Sequence, residues 1–356
     1  MILLIRYILF PIAMLYDMIT RVRNFLFDKN ILKSYSFDIP IIAVGNLSVG
    51  GTGKSPQIEY LIRLLAPHFK LATLSRGYKR RTKGFVIARQ GIDYQDIGDE
   101  PFQFFHKFKN IIVAVDAHRK NGIEQLLHLP KKPEIILLDD AYQHRKIKAG
   151  LYILLTTYDE LYYKDWILPT GNLREATSGA DRACIIIVTK CPNQLSDYEM
   201  NILKKALKLK PHQQLFFSKI QYHEAICSNE QNIPISSIKA EKKLLLAGIA
   251  KPKFFFDYLK NENDILLTYP DHHAFSEKDI DLILEKANGM KIITTEKDYV
   301  RLMDKLPQNQ LFYVPIQSEF LQNAAQFDQY IIQFVQTFSS NIGASYCINH
   351  QEQRVL

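Results

Sequence analysis

Gly50, Gly51, Gly53, Lys54 and Ser55 follow closely on the apolar run 41–44, and these residue types at this spacing suit one task, the gripping of phosphate. Glycines let a backbone turn its N–H groups inward around phosphate oxygens. A lysine at this place reaches the β- and γ-phosphates, and a hydroxyl beside it can ligand Mg²⁺. The expected ligand is a nucleoside triphosphate cradled by Ser48, Gly50, Gly51, Thr52, Gly53, Lys54 and Ser55. One residue departs from the G-x-x-x-x-G-K-[ST] pattern, because Ser48 occupies the place of its first glycine.

Acids and bases stand at other segment ends. Glu134-Ile-Ile-Leu-Leu-Asp139-Asp140 reads as an apolar strand closing in two carboxylates, the form in which a strand presents an acid toward Mg²⁺. Gly98-Asp99-Glu100-Pro101 offers a second pair before a helix that Pro101 can begin at its first position. Asp99 could accept a hydroxyl proton there or cap the helix, and the two roles are compatible. In Asp271-His272-His273 a carboxylate can fix an imidazole and raise its basicity; no third ligand at recognisable spacing accompanies them, so no structural zinc is expected. Arg174, in Leu168-Pro-Thr-Gly-Asn-Leu-Arg-Glu175, has the planar fork to stabilise charge on a transferring phosphoryl group. The run Arg76-Gly-Tyr-Lys-Arg-Arg-Thr-Lys83 packs five positive charges into eight residues. No nucleic-acid module surrounds it, so an anionic lipid head group or a substrate phosphate is at least as suitable a partner.

Such groups work together only if strand ends converge. Strand-like runs at 39–44, 71–74, 111–115, 135–138, 151–155 and 184–188 alternate with helix-compatible segments, which predicts an α/β fold with a mostly parallel sheet covered on both faces. In such sheets chemistry gathers at the C-terminal ends of the strands. A second series at 244–247, 265–268, 292–295 and 311–314 predicts a smaller C-terminal α/β domain, and the polar, irregular stretch 223–240 around Pro234 marks the boundary. The expected division is an N-terminal helix over 1–30, the phosphate-loop domain over 31–225, the smaller domain over 226–340 and a polar tail over 341–356.

A chain of 356 residues, 47% of them hydrophobic, can bury a substantial core. Its four cysteines, Cys184, Cys191, Cys227 and Cys347, lack C-x-x-C spacing and fit free thiols in the cytoplasm. A net charge of +8 suits nucleic acid, an anionic membrane or a phosphorylated substrate, and does not choose among them. Residues 1–16 are almost wholly apolar, yet a helix of that length spans about 24 Å against a hydrocarbon core of about 30 Å. Ile12, Leu15, Tyr16, Ile19, Val22 and Leu26 recur at helical spacing, with Asp17, Arg21, Arg23 and Asn24 largely elsewhere. That pattern predicts an amphipathic helix in a membrane interface, the alternative being a helix packed on the protein's own core. Arg6 inside the apolar run, and the lack of a small-residue cleavage site after it, argue against a signal peptide.

Val44–Pro56, Ser75-Arg-Gly-Tyr78, Gly98-Asp-Glu-Pro101, Asp139-Asp140 with Gln143-His144, Leu168–Glu175, Ala247-Gly-Ile-Ala-Lys-Pro252, Asp271-His272 and Thr295-Glu-Lys-Asp298, in this order, resemble the tetraacyldisaccharide 4′-kinase family of Gram-negative bacteria. The match covers nearly the whole chain, and the shared order and spacing are more specific than any motif beyond the phosphate loop. The resemblance implies a P-loop NTPase-like fold, ATP and Mg²⁺ as cofactors, and phosphorylation of the 4′-hydroxyl of a tetraacylated glucosamine disaccharide 1-phosphate. It places the reaction at the cytoplasmic face of the inner membrane, with a lipid and not nucleic acid as partner.

By motif, the resemblance assigns Lys54 and Ser55 to the triphosphate and Mg²⁺, and Asp99 to the sugar hydroxyl with His272 in support. Glu100, Asp139, Asp140 and Glu175 fall around the metal and Arg174 on phosphate. Asp99 and His272 lie in different domains, so they would meet only on closure. Ala141, Asn172 and Ser55 depart from the family's more frequent glycine, proline and threonine. The alternative is a membrane-associated switch ATPase, which the loop weakens because Val49 stands where such proteins carry a second lysine.

Overall fold

The computed structural model describes residues 8–338. The chain opens with a helix, Phe10–Asp28, and then builds β1 (Ile41–Asn46), β2 (Leu71–Ser75), β3 (Val86–Ile87), β4 (Ile112–Val115), β5 (Ile135–Asp139), β6 (Leu151–Thr157), β7 (Ile185–Thr189) and β8 (Gln214–Tyr222). A smaller sheet follows from β9 (Ala225–Cys227), β10 (Asn232–Pro234), β11 (Leu244–Ala247), β12 (Ile265–Thr268), β13 (Ile292–Thr295) and β14 (Leu311–Val314). The chain then returns through β15 (Ile316–Phe320) to the first sheet.

Nine strands make the larger sheet in the order β15-β8-β7-β6-β1-β5-β2-β4-β3. Strands β8 to β4 run parallel, and the edge strands β15 and β3 are antiparallel to their neighbours. Every residue of β1, β2, β5 and β7 is buried. Continuous apolar strands of this kind need cover on both faces, which the intervening helices supply. All ten expected strand-like runs are strands, with ends displaced by at most two residues.

The smaller unit differs from the expected span 226–340. Its six-stranded sheet ends with β14, and residues 316–338 belong to the larger core. The cause is the helix Ala324–Phe338, whose Phe327, Ile331, Phe334 and Val335 recur on one face and need an apolar partner surface. They find it beside Ile153, Ile185 and Phe216, with the rings of Phe216 and Phe327 edge to face at 5.3 Å. Two antiparallel strands, β8 and β15, therefore carry the chain out to the smaller sheet and back.

The N-terminal helix meets the body through polar groups. Tyr16 Oη donates to the Arg174 carbonyl at 2.9 Å, and Arg145 Nη2 reaches Asp28 at 2.5 Å. Ile12, Leu15, Ile19 and Val22 are each more than half exposed, so these four residues of the expected apolar stripe do not pack on the protein's own core. Among the described residues no helix is long and apolar enough to cross a membrane. Cys191 and Cys227 are free thiols, as expected, whereas Cys184 is disulfide-bonded, which corrects that reading. The expectations for residues 1–7 and the tail 341–356 lie outside the described residues.

If the returning helix is integral to the larger core, Phe327→Ala should destabilise the protein by about 3–5 kcal/mol, the usual cost of truncating a fully buried phenylalanine. Denaturant unfolding followed by tryptophan fluorescence measures it; a loss below about 1 kcal/mol, the scale of a surface change, would place this helix outside the core.

Candidate active site

The phosphate loop leaves the C-terminal end of β1, the strand between β5 and β6, and passes into the helix Lys54–Leu65. Gly50 and Gly53 take φ of 108° and 85°, a region closed to most side chains. A Cβ at Gly50 would meet nothing within 4 Å, so the concave side of the turn is open. Gly51 lies beneath the Lys190 ammonium, which is 3.9 Å from where a Cβ would stand. Thr52 is nearly buried, its carbonyl accepting from Thr189 Oγ1 at 2.8 Å.

Ser48 explains its own departure from the motif. It forms an isolated antiparallel bridge with Leu173, and the adjacent Val49 N–H donates to the Asn172 carbonyl at 2.8 Å. Its φ is not positive, so the position needs no glycine. This pairing brings the 172–175 segment, and Arg174 with it, against the loop.

Lys54 lies between two acceptors, its ammonium 3.4 Å from Asn46 Oδ1 and 3.6 Å from Asp140 Oδ1. Asp140 takes a left-handed φ of 47° at the end of β5 and receives Arg174 Nη1 on both oxygens at 3.0 and 3.1 Å. Ser55 Oγ donates to Glu100 Oε1 at 2.6 Å, and the same oxygen accepts from Lys297 Nζ at 2.8 Å. Burial works to raise the Glu100 pKa, but the Lys297 and Lys54 ammonium groups outweigh it and hold the carboxyl well below its usual range.

Asp139 is in the opposite condition. It is 2% exposed and its Oδ1 has no hydrogen-bond partner. Burial, then the charges of Glu100 and Asp140, push its pKa well up. An orphaned, buried carboxylate oxygen beside two other acids is the donor a hard divalent cation lacks partners for elsewhere. Ser55, Asp139 and Glu100 thus fit Mg²⁺, although no cluster of three or more His, Cys, Asp or Glu side chains is preassembled as a cage among the described residues. That suits Mg²⁺, which usually keeps waters and substrate phosphate among its ligands.

Glu175 is wholly buried, accepting from Arg182 at 2.8 and 3.0 Å, Asn24 at 2.7 Å and Gln143 at 3.1 Å. Both oxygens are engaged, and these bonds join the N-terminal helix to the 172–175 segment. The basic run is also partly occupied: Arg81 pairs with Asp93 and Asp96, and Arg80 with the Gly84 carbonyl.

Asp99 does not cap its helix. Gly98, at φ 93°, is the residue before the first turn, which places Pro101 third and not first in the helix Asp99–Lys107. The Asp99 carboxylate is thereby free to face the smaller unit, where its Oδ2 lies 3.0 Å from His272 Nδ1. The two residues, 173 positions apart, meet across the seam between the sheets as expected. His272, like Asp140, holds a left-handed φ, of 57°. Two partners escaped the sequence reading: Lys297 on Glu100, and Arg301, which bonds Asp99 Oδ2 and Asp298. Thr295-Glu-Lys-Asp298 was noticed as a motif, but nothing in its spacing tells which acid of a distant segment its cations will meet.

The model of the tetraacyldisaccharide-1-phosphate 4′-kinase family matches residues 5–336. The chain belongs to this family. It is 61% identical over 332 residues to the tetraacyldisaccharide 4′-kinase of Flavobacterium johnsoniae, covering 93% of this chain and 98% of that one. The protein of that name from Bacteroides thetaiotaomicron is 43% identical over 358 residues, with 94% of each chain covered. Among solved structures, LpxK from Aquifex aeolicus in complex with ATP superposes with a TM-score of 0.75 at 28% identity, over 93% of this chain and 99% of that one. The fold is thus the P-loop NTPase-like α/β fold of the 4′-kinases, and the switch-ATPase alternative falls away.

A structural Glu175 makes a checkable distinction within the family site. Glu175→Ala should lower stability by about 2–3 kcal/mol, somewhat under the cost of breaking a fully buried pair because Arg182 is 17% exposed. Thermal unfolding together with a Mg²⁺ titration of activity separates the roles: unchanged stability with a weakened Mg²⁺ response would support the metal assignment.

Proposed function

We propose that this protein transfers the γ-phosphate of ATP to the 4′-hydroxyl of a tetraacylated disaccharide 1-phosphate, the lipid A precursor, using the site just described. The observation that carries the assignment of roles is the junction of Glu100 with Ser55, because it puts the neighbouring Asp99 and its partner His272 beside the phosphate loop. Backbone N–H groups of residues 50–55 and the Lys54 ammonium hold the triphosphate, and Arg174 swings from Asp140 toward phosphate.

Asp99 accepts the proton of the sugar hydroxyl while that oxygen bonds to the γ-phosphorus. The bond from phosphorus to the β-γ bridging oxygen breaks, and ADP departs. Ser55, Asp139 and Glu100 would hold Mg²⁺, which when bound neutralises charge on the β- and γ-phosphates. A loose phosphoryl-transfer transition state asks little of the base, so orientation and the ionised state of Asp99 count for more than its strength. His272 and Asp99 come from opposite sides of the seam, so the acceptor site is complete only with both units in contact, which also keeps water from competing for the phosphate.

The apolar, exposed side of the N-terminal helix supports attachment to the membrane surface where an acylated substrate resides. We place it at the cytoplasmic face of the inner membrane, where ATP is available. The larger unit then comprises residues 31–224 with 315–338, and the smaller unit the span between.

Incubation with ATP labelled at its terminal phosphate and a tetraacylated disaccharide acceptor should yield labelled lipid, and Lys54→Ala should cut turnover by at least about a thousandfold, as positioning and charge carry this chemistry. Labelled inorganic phosphate with no labelled lipid would refute the kinase reading. Substituting Ile12, Ile19 and Val22 by glutamate should release the protein from anionic vesicles yet leave activity on detergent-dispersed acceptor within about threefold; retention on the vesicles would refute the interfacial helix.

A further inference from the structure

We infer that Arg301 is a positioning residue for the phosphoryl transfer: it holds one oxygen of Asp99 and aligns His272 on the same atom, so that the other oxygen faces the sugar hydroxyl. The inference rests on the role given to Asp99 above and goes beyond it. The guanidinium is 2% exposed and lies inside the seam. Its Nη2 donates to Asp99 Oδ2 and lies 3.1 Å from His272 Nδ1, while its Nη1 donates to Asp298 Oδ1 at 3.1 Å.

Two donors on one oxygen settle the hydrogen positions. A guanidinium only donates, so the close approach of Arg301 and His272 makes sense if both point at Asp99 Oδ2. His272 then carries its proton on Nδ1, and its Nε2 is left as the free face of the ring. Asp99 Oδ1 has no hydrogen bond among the described residues, although the side chain is only 16% exposed. Of the two carboxylate oxygens, one is thus fixed and one is available.

Arg301 is itself held. Asp298 Oδ2 accepts from the Gly248 N–H at 2.8 Å and from Thr295 Oγ1 at 2.7 Å, which anchors the far side of the guanidinium to the residue after β11 and to the N-cap of its own helix. A lysine in this place could not reach Asp99 and Asp298 as one planar fork. The arrangement therefore transmits the position of the smaller unit to a carboxylate of the larger one.

Charge follows geometry. Around Asp99 stand Arg301, Asp298 and Lys297 from the helix Glu296–Leu302, His272 and Asp271 from the turn after β12, Glu100 from its own helix, and the uncharged ring of Tyr78, packed edge to face on His272 from the turn after β2. Burial works to raise the Asp99 pKa, and the bonds from His272 and Arg301 overcome it, leaving the carboxyl below its usual range.

The test compares kcat and the acceptor KM of the wild type, Arg301→Met, Arg301→Lys and Asp99→Asn in the full chain, with thermal unfolding and ATP affinity measured alongside. Arg301→Met should lower kcat about tenfold or more while the acceptor KM and ATP affinity change less than about threefold, since the guanidinium holds Asp99 and His272 and touches no residue of the phosphate loop. Arg301→Lys should also lower kcat, because charge survives and the fork does not. Wild-type kcat in folded Arg301→Met or Arg301→Lys, or a loss carried by KM and ATP affinity alone, overturns the inference. Asp99→Asn isolates the underlying reading: if it retains wild-type turnover, the role of Asp99 itself is wrong, whereas its inactivity beside a wild-type kcat in Arg301→Met removes only Arg301.

Discussion

A carboxylate taken out of water requires a cation or a set of donors, and along the seam between the two sheets this requirement decides how the units meet. Asp99 and Glu100 of the larger unit are matched by Arg301 and Lys297 of the smaller one. Farther along, Lys107 lies between Glu59 at 2.7 Å and Glu296 at 2.6 Å, so an acid from each unit shares one lysine. Apolar contact is non-directional and would tolerate a range of angles between two sheets. Fork-like and point-charge pairs at under 3 Å do not, and removing one partner strands the other in a site that water enters poorly. The same pairs that join the units therefore also accompany the approach of His272 to Asp99.

The N-terminal helix extends this logic to the other side of the loop. Ile12, Leu15, Ile19 and Val22 face outward, and what attaches the helix to the body is the buried Ala13 and Phe27 together with polar contacts to the 172–175 segment and to Gln143 and Arg145. That segment is paired in turn with Ser48 and Val49 and carries Arg174. The orientation of the exposed face and the mouth of the nucleotide site are thus linked through Tyr16, Asn24 and Glu175.

The strands that build the two sheets were legible in the sequence because both faces of a buried parallel strand are apolar, and continuous apolar runs are hard to mistake. Strands β8 and β15 were not, since Gln214–Tyr222 and Ile316–Phe320 interleave polar residues and owe their form to pairing with each other across about a hundred residues of intervening chain. The end of the smaller unit was misplaced for the same reason: a returning strand is indistinguishable locally from the next strand of the series. In the proposed site, Lys54, Ser55, Asp99, Asp139 and His272 could be singled out because each stands in a motif, and the fold brings Asp99 and His272 together. The partners of Glu175 were not legible, because a carboxylate next to Arg174 looks unpaired until Arg182 and Asn24 are brought to it by the fold. Arg301 and Lys297 were invisible as partners because their meaning lies wholly in which acids the seam delivers.

Backbone strain at two of these positions points the same way. Asp140 and His272 each hold a left-handed conformation, which costs a residue with a side chain about 1–2 kcal/mol and which glycine would adopt freely. Glycine, however, has neither carboxylate nor imidazole; Asp140 directly follows β5, and His272 lies in the turn four residues after β12. Asp140 is fixed by two bonds from Arg174, and His272 by Asp99. Strain of this kind persists where surrounding contacts over-determine the conformation. Those contacts come from a different segment in each case: Asp140 is held by the segment that pairs with Ser48 of the phosphate loop, and His272 by a carboxylate of the larger unit. The geometry of each strained turn therefore depends on a neighbour far from it in the chain.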